Sequence, residues 1–454
     1  MIRLVDMKTL PKMSPETQGR IEELARLAQE SDASCFLVGG MLRDWVLGKD
    51  PKDIDILVMP PKSPIEFAET LHQKGGYRFP TLFPTFGTLR TGKEEFEVEI
   101  VPPRGTTLIE DLKLRDFTIN TLVFPLTLPL ASEISDPLEM AFKDIQAKRI
   151  RTSIDPVPIL RDDPLRALRA IRLATTLGFE IEEALQKAIR EHREWTREVA
   201  SERIQEELAK ILVSQNPSRG LRLMGELGLL EVLFPEIQVM VGKEQKSPYH
   251  HQDVFEHSLT VLEKSPPDLS VRLAALLHDQ GKVYAERKEG DRWVYWGHEF
   301  ISEKNARALL ERLCFPHKIR DEALFLIKHH MVPYAEDWGD SAVRRFAHRA
   351  GPYLQKLLQL LKADTGALRP EHACPEKYDQ LFERIHGLHS EEIHRIQLPL
   401  DGKEIMELLN LRPGPQVGEA KQLLLDAILD GKLSPEDKEG AQNYLKGTLR
   451  AGKG

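Results

Sequence analysis

The order of hydrophobic and polar residues divides the chain into an early mixed part and a long helical part. Apolar residues at helical spacing (Ile21, Leu24, Leu27) predict a helix over residues 16–30. Short apolar or alternating runs predict strands at 36–38, 53–58, 85–90 and 95–101. Because helical segments lie between these strands, the early part is expected to form a small head with a mixed or mainly antiparallel sheet.

Strand signals nearly vanish after Ser153, and amphipathic helices follow one another to the end of the sequence. Prolines interrupt these helices, at Pro217, Pro235, Pro248, Pro266, Pro267, Pro316, Pro413 and Pro415. The predicted fold class is therefore α+β, with the head followed by an elongated all-helical body. A chain of 454 residues is too long for one hydrophobic core and is expected to contain about three or four units.

Composition predicts a globular protein of the cytoplasm that does not enter a membrane. Hydrophobic residues make up 41% and charged residues 30%, and no apolar run reaches the roughly 18 residues of a membrane-spanning helix. The N-terminal residues lack the apolar core of a secretory signal. Cys35, Cys314 and Cys374 show neither a pair pattern nor a zinc spacing, which favours a reducing compartment.

The net charge of −8 argues against a nucleic-acid partner for the chain as a whole, but one stretch is basic. Its basic residues are Lys148, Arg149, Arg151, Arg161, Arg166, Arg169 and Arg172, against the acids Asp155, Asp162 and Asp163. A local cationic surplus on an acidic protein suggests phosphate or RNA contact at one place.

The most informative segment contains a strand, a glycine turn (Gly39, Gly40), a short helix, and a strand that carries Asp53 and Asp55. Side chains alternate along a strand, so the two carboxylates point to the same face. Glycines let backbone N–H groups approach phosphate oxygens, and paired carboxylates can hold divalent ions. Each part alone has a bland alternative, a simple turn or a solvated strand face, but the combination predicts metal-dependent nucleotidyl transfer.

Further polar residues extend this candidate site. Arg43 and Asp44 fall on the first helical turn after the glycines, where an arginine can reach phosphates. Glu97 and Glu99 share one face of a later strand, and Glu99, which lies inside that strand, is the preferred third carboxylate. Its alternative is an outward-facing glutamate. The segment 115–120 then offers an arginine and an amide for triphosphate and sugar.

A predicted helix after Pro164 carries arginines at every third position, at Arg166, Arg169 and Arg172, just after Asp163. Asp162 or Asp163 suits its cap and Pro164 its first turn. Two interpretations stay open. The residues form a solvated ion-pair ladder, or Asp163 and Arg166 present an acceptor and a donor fork to the edge of a nucleobase.

A second set of candidate metal ligands lies in the helical part. Its members are His257, His278, Asp279, His298, His330 and Asp364. An adjacent His-Asp pair with distant histidines and a late aspartate suits a hard divalent ion. Any single histidine of the set would more often be an ordinary core or surface residue.

These motifs in this order resemble those of the class II tRNA nucleotidyltransferase and bacterial poly(A) polymerase family. The resemblance runs through Leu37–Gly40, Arg43-Asp44, Asp53-x-Asp55, Glu99 with Arg104, Arg115–Asn120, Asp136-Pro137, Asp163–Arg172 and Ser201–Leu208. It implies that Asp53 and Asp55 bind two Mg²⁺, with Glu99 as the third catalytic carboxylate. The implied nucleotide-binding residues are Gly39, Gly40, Arg43, Asp44, Arg115, Asp116, Asn120, Asp163, Arg166, Arg169 and Arg172. Among these, Asp163 and Arg166 would read CTP or ATP without a nucleic-acid template.

The second set resembles the ligands of an HD-domain phosphohydrolase. The six residues would bind a divalent metal whose identity the sequence leaves open. Similar modules in some tRNA nucleotidyltransferases resemble phosphatases or cyclic phosphodiesterases that act on RNA ends. Gln280 stands where an aliphatic residue usually precedes Gly-Lys, a departure that removes no ligand.

Four departures from the family pattern bear on the product. They are Leu114 for the first arginine of a pair, Asp162 for a glutamate, no glycine pair after Asp136-Pro137, and only residues 105–110 between Arg104 and Asp111. Full CCA-adding members carry a much longer flexible loop in the last of these places. Members that lack the loop resemble enzymes that add only the two cytidines. We therefore expect CC addition to tRNA 3′ ends from CTP, with a partner enzyme adding the adenosine.

Other functions remain as alternatives. Full CCA addition would use ATP as well as CTP, and poly(A) polymerase would be expected to carry a long basic tail, where only Arg450–Gly454 is present. A different class is an HD phosphohydrolase whose head merely binds nucleotides. A non-enzymatic RNA-binding protein would not need two separate sets of metal ligands.

The motifs divide the chain into four expected parts. These are a catalytic head (1–150), a helical neck that reads the base (151–235), an HD-type metal-binding domain (236–366) and a helical tRNA-binding body and tail (367–454). For the last part, Gly and Pro residues that merely punctuate helices are an equal alternative to direct RNA contact. The sequence does not indicate an oligomeric state.

Overall fold

The computed structural model describes residues 14–49, 53–83, 87–93, 96–335, 337–388 and 397–451. The chain folds as two compact units. The first consists of Met1–Ile211 with Arg219–Leu233, and the second of Leu212–Ser218 with Phe234–Gly454. None of the described helices is long and apolar enough to cross a membrane.

A six-stranded mixed sheet organises the first unit. Its strands are β1 (Ser34–Val38), β2 (Asp53–Met59), β3 (Thr81–Phe83), β4 (Thr88–Lys93), β5 (Phe96–Val101) and β6 (Val123–Pro125). Their spatial order is β3-β4-β5-β2-β1-β6, and β2 and β5 run parallel while the other neighbours are antiparallel. The predicted mixed sheet is confirmed. The start of the strand predicted at 85–90 lies outside the described residues, and β4 begins at Thr88.

Helices surround and follow this sheet. They are α1 (Pro15–Glu30), α2 (Gly40–Val46), α3 (Pro64–Gly75), α4 (Leu108–Lys113), α5 (Ala141–Gln146), α6 (Pro156–Asp162), α7 (Leu165–Leu177), α8 (Glu183–His192), α9 (Ser201–Leu212), α10 (Pro217–Glu226) and α11 (Leu229–Leu233). Short 3₁₀ helices cover Thr118–Asn120 and Arg193–Glu198, and β7 (Arg149–Ile150) pairs in parallel with β8 (Glu180–Ile181). The predicted first helix is confirmed. It begins where the Ser14 hydroxyl accepts the Thr17 N–H, and Ile21 and Leu24 are fully buried.

The second unit is almost wholly helical, as predicted. Its helices are α12 (Pro235–Gln238), α13 (Val254–Lys264), α14 (Leu269–Leu277), α15 (Lys282–Ala285), α16 (His298–Arg312), α17 (His317–His329), α18 (Asp340–Ala350), α19 (Leu354–Thr365), α20 (Glu376–Gly387), α21 (Gly402–Leu409), α22 (Pro415–Leu429) and α23 (Lys438–Ala451), with a 3₁₀ turn at Gly351–Tyr353. A small antiparallel hairpin, β9 (Arg287–Glu289) and β10 (Arg292–Val294), is an addition to the prediction.

Several of the prolines that were expected to break helices in fact begin them. Pro217, Pro235 and Pro415 are the first residues of their helices, and Pro316 caps α17. A proline at this position loses no helical hydrogen bond, because the first N–H groups of a helix have no partner within it.

Candidate functional site

Four carboxylates lie on one face of the central sheet. Along β2, Asp53 and Asp55 alternate with the buried Ile54. The parallel register pairs Asp53 with Glu97 and Asp55 with Glu99 across to β5. Directly opposed residues share a face. A cavity of about 750 Å³ opens over this face. Its basic lining residues are Lys49, Arg90, Arg172 and Lys210.

The charges of these carboxylates are crowded. Burial and then the neighbouring Glu99 raise the pKa of Asp55 to about 7. Glu99 forms an ion pair with Arg90, and Glu97 lies 3.7 Å from Arg78. A divalent cation between the carboxylates would relieve the repulsion, and carboxylate oxygens are ligands that Mg²⁺ prefers. The residues present therefore fit the expected Mg²⁺ pair at Asp53 and Asp55.

The glycine turn has a steric reason that only the structure reveals. Gly39 has φ +82°, and a Cβ built there would come within 2.7 Å of Asp55 Oδ2. The close approach and the left-handed backbone both require glycine. The turn therefore holds the backbone against the carboxylate face.

The arginine predicted to hold the triphosphate is committed to protein partners. Arg43 is 6% exposed, and its guanidinium donates to Asp44 at 2.9 Å and to Asn120 Oδ1 at 2.5 Å. Asn120 in turn donates to Asp116 Oδ1 at 2.9 Å. These residues form one buried network below the glycine turn, so Arg43 and Asn120 position their neighbours in this structure.

A smaller cavity of about 190 Å³ shares the lining residues Gly40 and Asp55 with the first. Its lining gathers most of the residues expected to bind a nucleotide, namely Gly39, Gly40, Arg115, Asp116, Asn120, Arg166 and Arg169. The two cavities together connect the carboxylate face with the N-terminal part of α7.

The start of α7 is buried, which excludes the solvated ion-pair ladder there. Asp163 is 6% exposed and Arg166 1%. Asp163 receives a two-pronged ion pair from Arg203 at 2.8 and 3.2 Å. Arg166 donates to the Ile159 carbonyl at 2.8 Å and pairs with Asp162 at 2.9 Å. Asp162, which stands where the family pattern has a longer glutamate, therefore still reaches Arg166.

Two residues of α9 were missed as members of this site. Arg203 holds Asp163, and Glu207, 4% exposed, pairs with Arg172 and lies 3.9 Å from Arg169. Both belong to the Ser201–Leu208 motif, so the signal was present. No spacing rule, however, relates residues forty positions apart.

Arg169 also pairs with Asp116 at 3.3 Å. Burial alone would raise the pKa of Asp116, but Arg169 and Asn120 outweigh it and lower this pKa to about 2. Asp116 is therefore a fixed negative charge in the lining of the smaller cavity.

The arginines of the basic stretch 148–172 are paired with carboxylates, and phosphate or RNA contact there stays a prediction. Arg149 and Arg151 both bind the fully buried Asp144, and Arg161 pairs with Glu198. Together with the arginines of α7, every arginine of the stretch has a carboxylate partner. The charge count over residues 148–172 did not include these partners, because Asp144, Glu198 and Glu207 lie outside that stretch.

The short connection after Arg104 is a closed structure. Thr107 and Glu110 form a capping box that starts α4. Asp111, 1% exposed, accepts the Arg104 N–H at 3.0 Å and pairs with Arg115 at 2.9 Å. Hydrogen bonds therefore span the connection from end to end.

In the second unit, the six expected metal ligands converge. His257 Nε2 lies 3.1 Å from Asp364 Oδ1, His278 Nε2 lies 3.3 Å from Asp279 Oδ2, and His298 Nε2 lies 3.2 Å from Asp279 Oδ1. His330 Nε2 completes the cluster at 3.1 Å from His298 Nε2. A cavity of about 630 Å³ opens over the cluster and is walled by Trp293, Tyr295 and Trp296.

The orientation of three of these imidazoles fits a bound cation. Nδ1 of His278, His298 and His330 each contacts the backbone carbonyl three residues earlier, at 2.9, 2.8 and 2.7 Å. With Nδ1–H donating, Nε2 turns a lone pair into the cluster. The lone pairs of His298 and His330 then face each other, and the buried Nε2 of His278 has no hydrogen-bond partner among the described residues. A divalent ion would satisfy all three.

The electrostatics of the cluster show strong coupling between the histidines and the two aspartates. Burial opposes a charge on His278, but Asp279 and Asp364 outweigh it and raise the pKa of His278 to about 10, so a divalent ion at this nitrogen would displace a proton. Burial lowers the pKa of His330 to about 3, which keeps its lone pair available at neutral pH. Desolvation opposes ionisation of Asp279 and Asp364, but the adjacent histidines hold the pKa of both carboxyls well below its usual range. Gln280, the departure from the family pattern, is buried and accepts from Asn305 at 2.8 Å, so it costs the cluster nothing.

Three family models match the sequence. They describe a poly(A) polymerase head domain over residues 35–151, a probable RNA- and SrmB-binding site of polymerase A over 178–240, and an HD domain over 254–394.

Curated relatives match over most of their length. The chain is 33% identical over 430 residues to the CC-adding tRNA nucleotidyltransferase of Thermus thermophilus, covering 90% of this chain and 92% of that protein. It is 34% identical over 412 residues to the A-adding tRNA nucleotidyltransferase of Deinococcus radiodurans, covering 87% and 92%. It is 29% identical over 415 residues to the multifunctional CCA protein of Xanthomonas campestris, covering 85% and 95%.

Solved structures of the same fold cover nearly the whole chain. The CCA-adding enzyme of Bacillus stearothermophilus in complex with CTP superposes with a TM-score of 0.72 at 22% identity, covering 97% of this chain and 99% of that one. The Thermotoga maritima CCA-adding enzyme complexed with tRNA gives a TM-score of 0.55 at 20% identity, covering 96% of each. At these identities the likeness shows a shared fold.

Proposed function

The chain belongs to the tRNA nucleotidyltransferases, enzymes that add nucleotides to the 3′ end of tRNA, and from this premise we propose that it adds the two cytidines of the CCA end. The observation that carries the chemistry is the face on which Asp55 and Glu99 oppose each other. The adjoining smaller cavity is lined by Arg166 and Arg169, so reacting phosphate and base would each have a binding surface.

The reaction forms one bond and breaks one. The terminal hydroxyl oxygen of the tRNA attacks the α-phosphorus of CTP, and pyrophosphate leaves. Asp53 and Asp55 would hold two Mg²⁺, which when bound neutralise charge on the attacking and leaving oxygens. Glu99 is suited to accept the hydroxyl proton once Arg90 releases it, while Arg172 and Lys210 offer positive charge to the leaving group.

Base selection is assigned to Asp163 and Arg166. A carboxylate acceptor beside a guanidinium fork can match the edge of cytosine. The Arg203 ion pair fixes the Asp163 carboxylate, and the pairing with Asp162 fixes Arg166. The pocket thereby replaces a template with side chains of fixed direction.

Restriction to cytidine rests on the connection after Arg104. Its capping box and the two contacts of Asp111 leave no long flexible segment that could reshape the pocket for ATP. The CC-adding relative supports this product. The A-adding relative, of similar identity, favours the single adenosine step as the second candidate.

Three tRNA transcripts, ending before CCA, after the first C and after CC, distinguish the products. With CTP and Mg²⁺ we expect growth to CC and no further growth when ATP is added. Extension of only the CC-ended transcript by ATP would establish the A-adding product, and a complete third step would establish full CCA addition. Long tails from ATP alone would indicate poly(A) synthesis. Asp53→Ala should abolish every extension, with Asp32→Ala, on an exposed turn, as control.

A second activity is supported by the HD cluster. We infer that its six residues bind a divalent metal and act on phosphoesters at RNA ends. The metal, when bound, would activate water and neutralise the phosphate, while the chain's own Lys282, 8% exposed and 2.7 Å from Asp279, offers a further cation at the cluster. The three Nδ1–carbonyl contacts and the facing lone pairs carry this inference.

Metal content and hydrolysis test this second activity separately. We expect a bound divalent metal by elemental analysis and release of phosphate from an RNA with a 2′,3′-cyclic end. A His278→Ala/Asp279→Ala variant should lose both while keeping cytidine addition. Metal bound without hydrolysis of cyclic or 3′-phosphate ends would leave the cluster a structural site.

A further inference from the structure

A separate cavity of about 370 Å³ lies in the second unit. Its walls are formed by α17, α18, residues 331–333 and Trp338, with Glu299 and Leu357 from neighbouring helices. Met331, Val332 and Pro333 line both this cavity and the one over the metal ligands, so that segment separates the two. Among the described residues that line it there is none of the six metal ligands. Its volume lies in the range of about 300–1,000 Å³ typical of ligand sites.

Helical periodicity explains what the cavity presents. On α17, the core-facing residues are Ala323, Leu324, Leu326 and Ile327, while Phe325, Lys328 and His329 face the cavity. On α18, the residues at the matching spacing are Ala342, Arg345, Phe346 and Arg349. Each helix therefore contributes an aromatic ring and a cation from one stripe of its surface.

The walls of the cavity are aromatic. The rings of Phe325 and His329 lie 4.4 Å apart between centroids, and those of Trp338 and Phe346 lie 6.0 Å apart at 67°. Phe325 and Trp338 stay half-buried. Phe325 also contacts the ring of Tyr353 at 4.8 Å, and Trp338 that of Tyr334 at 5.3 Å, so both are supported from behind. Aromatic rings that line a cavity suit a planar ligand, because stacking on aromatic side chains accepts any nucleobase.

The rim of the cavity is positively charged. Lys328 and Arg349 are exposed and form no ion pair within the described ranges, and both lower the pKa of His329 in addition to its burial. Arg345 is held by Asp426 and Asp430. The acid of the lining, Glu299, lies 3.7 Å from His298 Nδ1. Two cations without carboxylate partners favour an anionic group at this rim.

We propose that this cavity binds one unstacked nucleotide of the RNA substrate, with the base between Phe325 and Trp338 and its phosphate at Lys328 and Arg349. It rests on the function proposed above only in taking RNA as the substrate. An RNA chain, rather than a free nucleotide, is favoured because the cations lie at the exposed rim, where a phosphodiester backbone can continue past them. The cavity would thus add RNA affinity without contributing to the chemistry.

Binding of a fluorescein-labelled tRNA transcript to the full-length protein, followed by anisotropy at several salt concentrations, tests the proposal. We expect Lys328→Ala/Arg349→Ala to weaken affinity about tenfold and to lower the salt slope by about 0.7, the value for one phosphate of a single strand. Trp338→Ala should weaken binding about fivefold to tenfold with little change in the slope. Lys318→Ala, an exposed lysine at the start of α17 outside the cavity, is the matched control and should leave both unchanged.

None of these variants should change the rate of the reaction in the head. At saturating tRNA, kcat for cytidine addition should equal that of the unsubstituted protein, with the loss confined to KM for tRNA. Affinity of the double variant within twofold of Lys318→Ala would overturn the proposal. So would saturable binding of free CMP that depends on Trp338 while tRNA affinity does not. Failure of cytidine addition in every protein, with the affinity differences intact, would overturn the proposed reaction and leave this cavity assigned to RNA.

Discussion

Asp55 is proposed to bind Mg²⁺ in the reaction, and its ionised carboxylate is destabilised by its surroundings. Its carboxylate is enclosed between the glycine turn and Glu99, which together with burial raises its pKa to about 7. Sites that hold like charges close together pay in stability for their function. Removing the negative charge of Asp55 should therefore raise the stability of the fold and abolish cytidine addition.

Asp55→Asn should show both effects. Because the folded pKa is raised above the unfolded value, the folded state binds the proton more tightly, and this group's stabilising contribution falls as pH rises from about 4 to about 7. In EDTA at pH 8 we expect the midpoint of thermal unfolding of Asp55→Asn to exceed that of the unsubstituted protein, with the difference disappearing near pH 4. Cytidine addition should fall at least about 1,000-fold. Equal midpoints at both pH values would contradict the crowding of this carboxylate.

Arg203 acts through another residue. Its guanidinium binds both oxygens of Asp163, so its removal should free the carboxylate to rotate. We expect Arg203→Ala to lower the ratio of kcat/KM for CTP over UTP by about tenfold or more, because the acceptor no longer has one direction. Arg203→Lys should restore the charge but only part of the selectivity. Arg197→Ala, on the surface beside Glu194, is the control. An equal loss for both nucleotides would indicate a purely structural role.

At the scale of elements, the local sequence pattern predicted those features that depend on a single helix or strand. Alternation placed Asp53 and Asp55 on one face, and periodicity located α1 and the helical body. Which carboxylates oppose them depended on the parallel register of β2 and β5, which is a long-range choice. The contacts of Asp163 with Arg203, and of Arg149 with Asp144, likewise join separate elements. Spacing alone could not predict them.

The helix α21 offers a matched test of an element. Asp401 accepts the N–H groups of Lys403 and Glu404, and the Glu404 side chain accepts the Asp401 N–H in return. We expect Asp401→Ala to lower the free energy of unfolding of the second unit by about 1 kcal/mol, and its thermal midpoint by about 2–4 °C. Glu407→Ala, on the same helix and exposed, should leave both within error. A midpoint equal to that control would show that the box does not limit stability.

At the scale of the whole molecule, the head carboxylates proposed to bind Mg²⁺ and the cluster of histidines and aspartates belong to two different compact units. Ligands that bind only a folded unit stabilise that unit. Addition of Mn²⁺ or Mg²⁺, as divalent probes, to the stripped protein should therefore slow hydrogen exchange in peptides from residues 254–366. CTP with Mg²⁺ should slow it in peptides around Asp53 and Asp163. Both responses are measured by hydrogen exchange with mass spectrometry. His278→Ala should abolish the metal response of residues 254–366 and keep the response to CTP with Mg²⁺. Loss of both in that variant would contradict independent sites.

The three imidazole contacts with backbone carbonyls have an evolutionary consequence. A hydrogen bond between two side chains disappears when either residue mutates, whereas the acceptors of His278, His298 and His330 belong to the main chain at positions 275, 295 and 327. Any residue at those positions supplies the same oxygen. The alignment of the ligands is thus inherited with the path of the chain and is robust to substitution around it. Substitutions of the carboxylates and the cavity walls can therefore change the metal and the substrate while the three imidazoles keep their orientation.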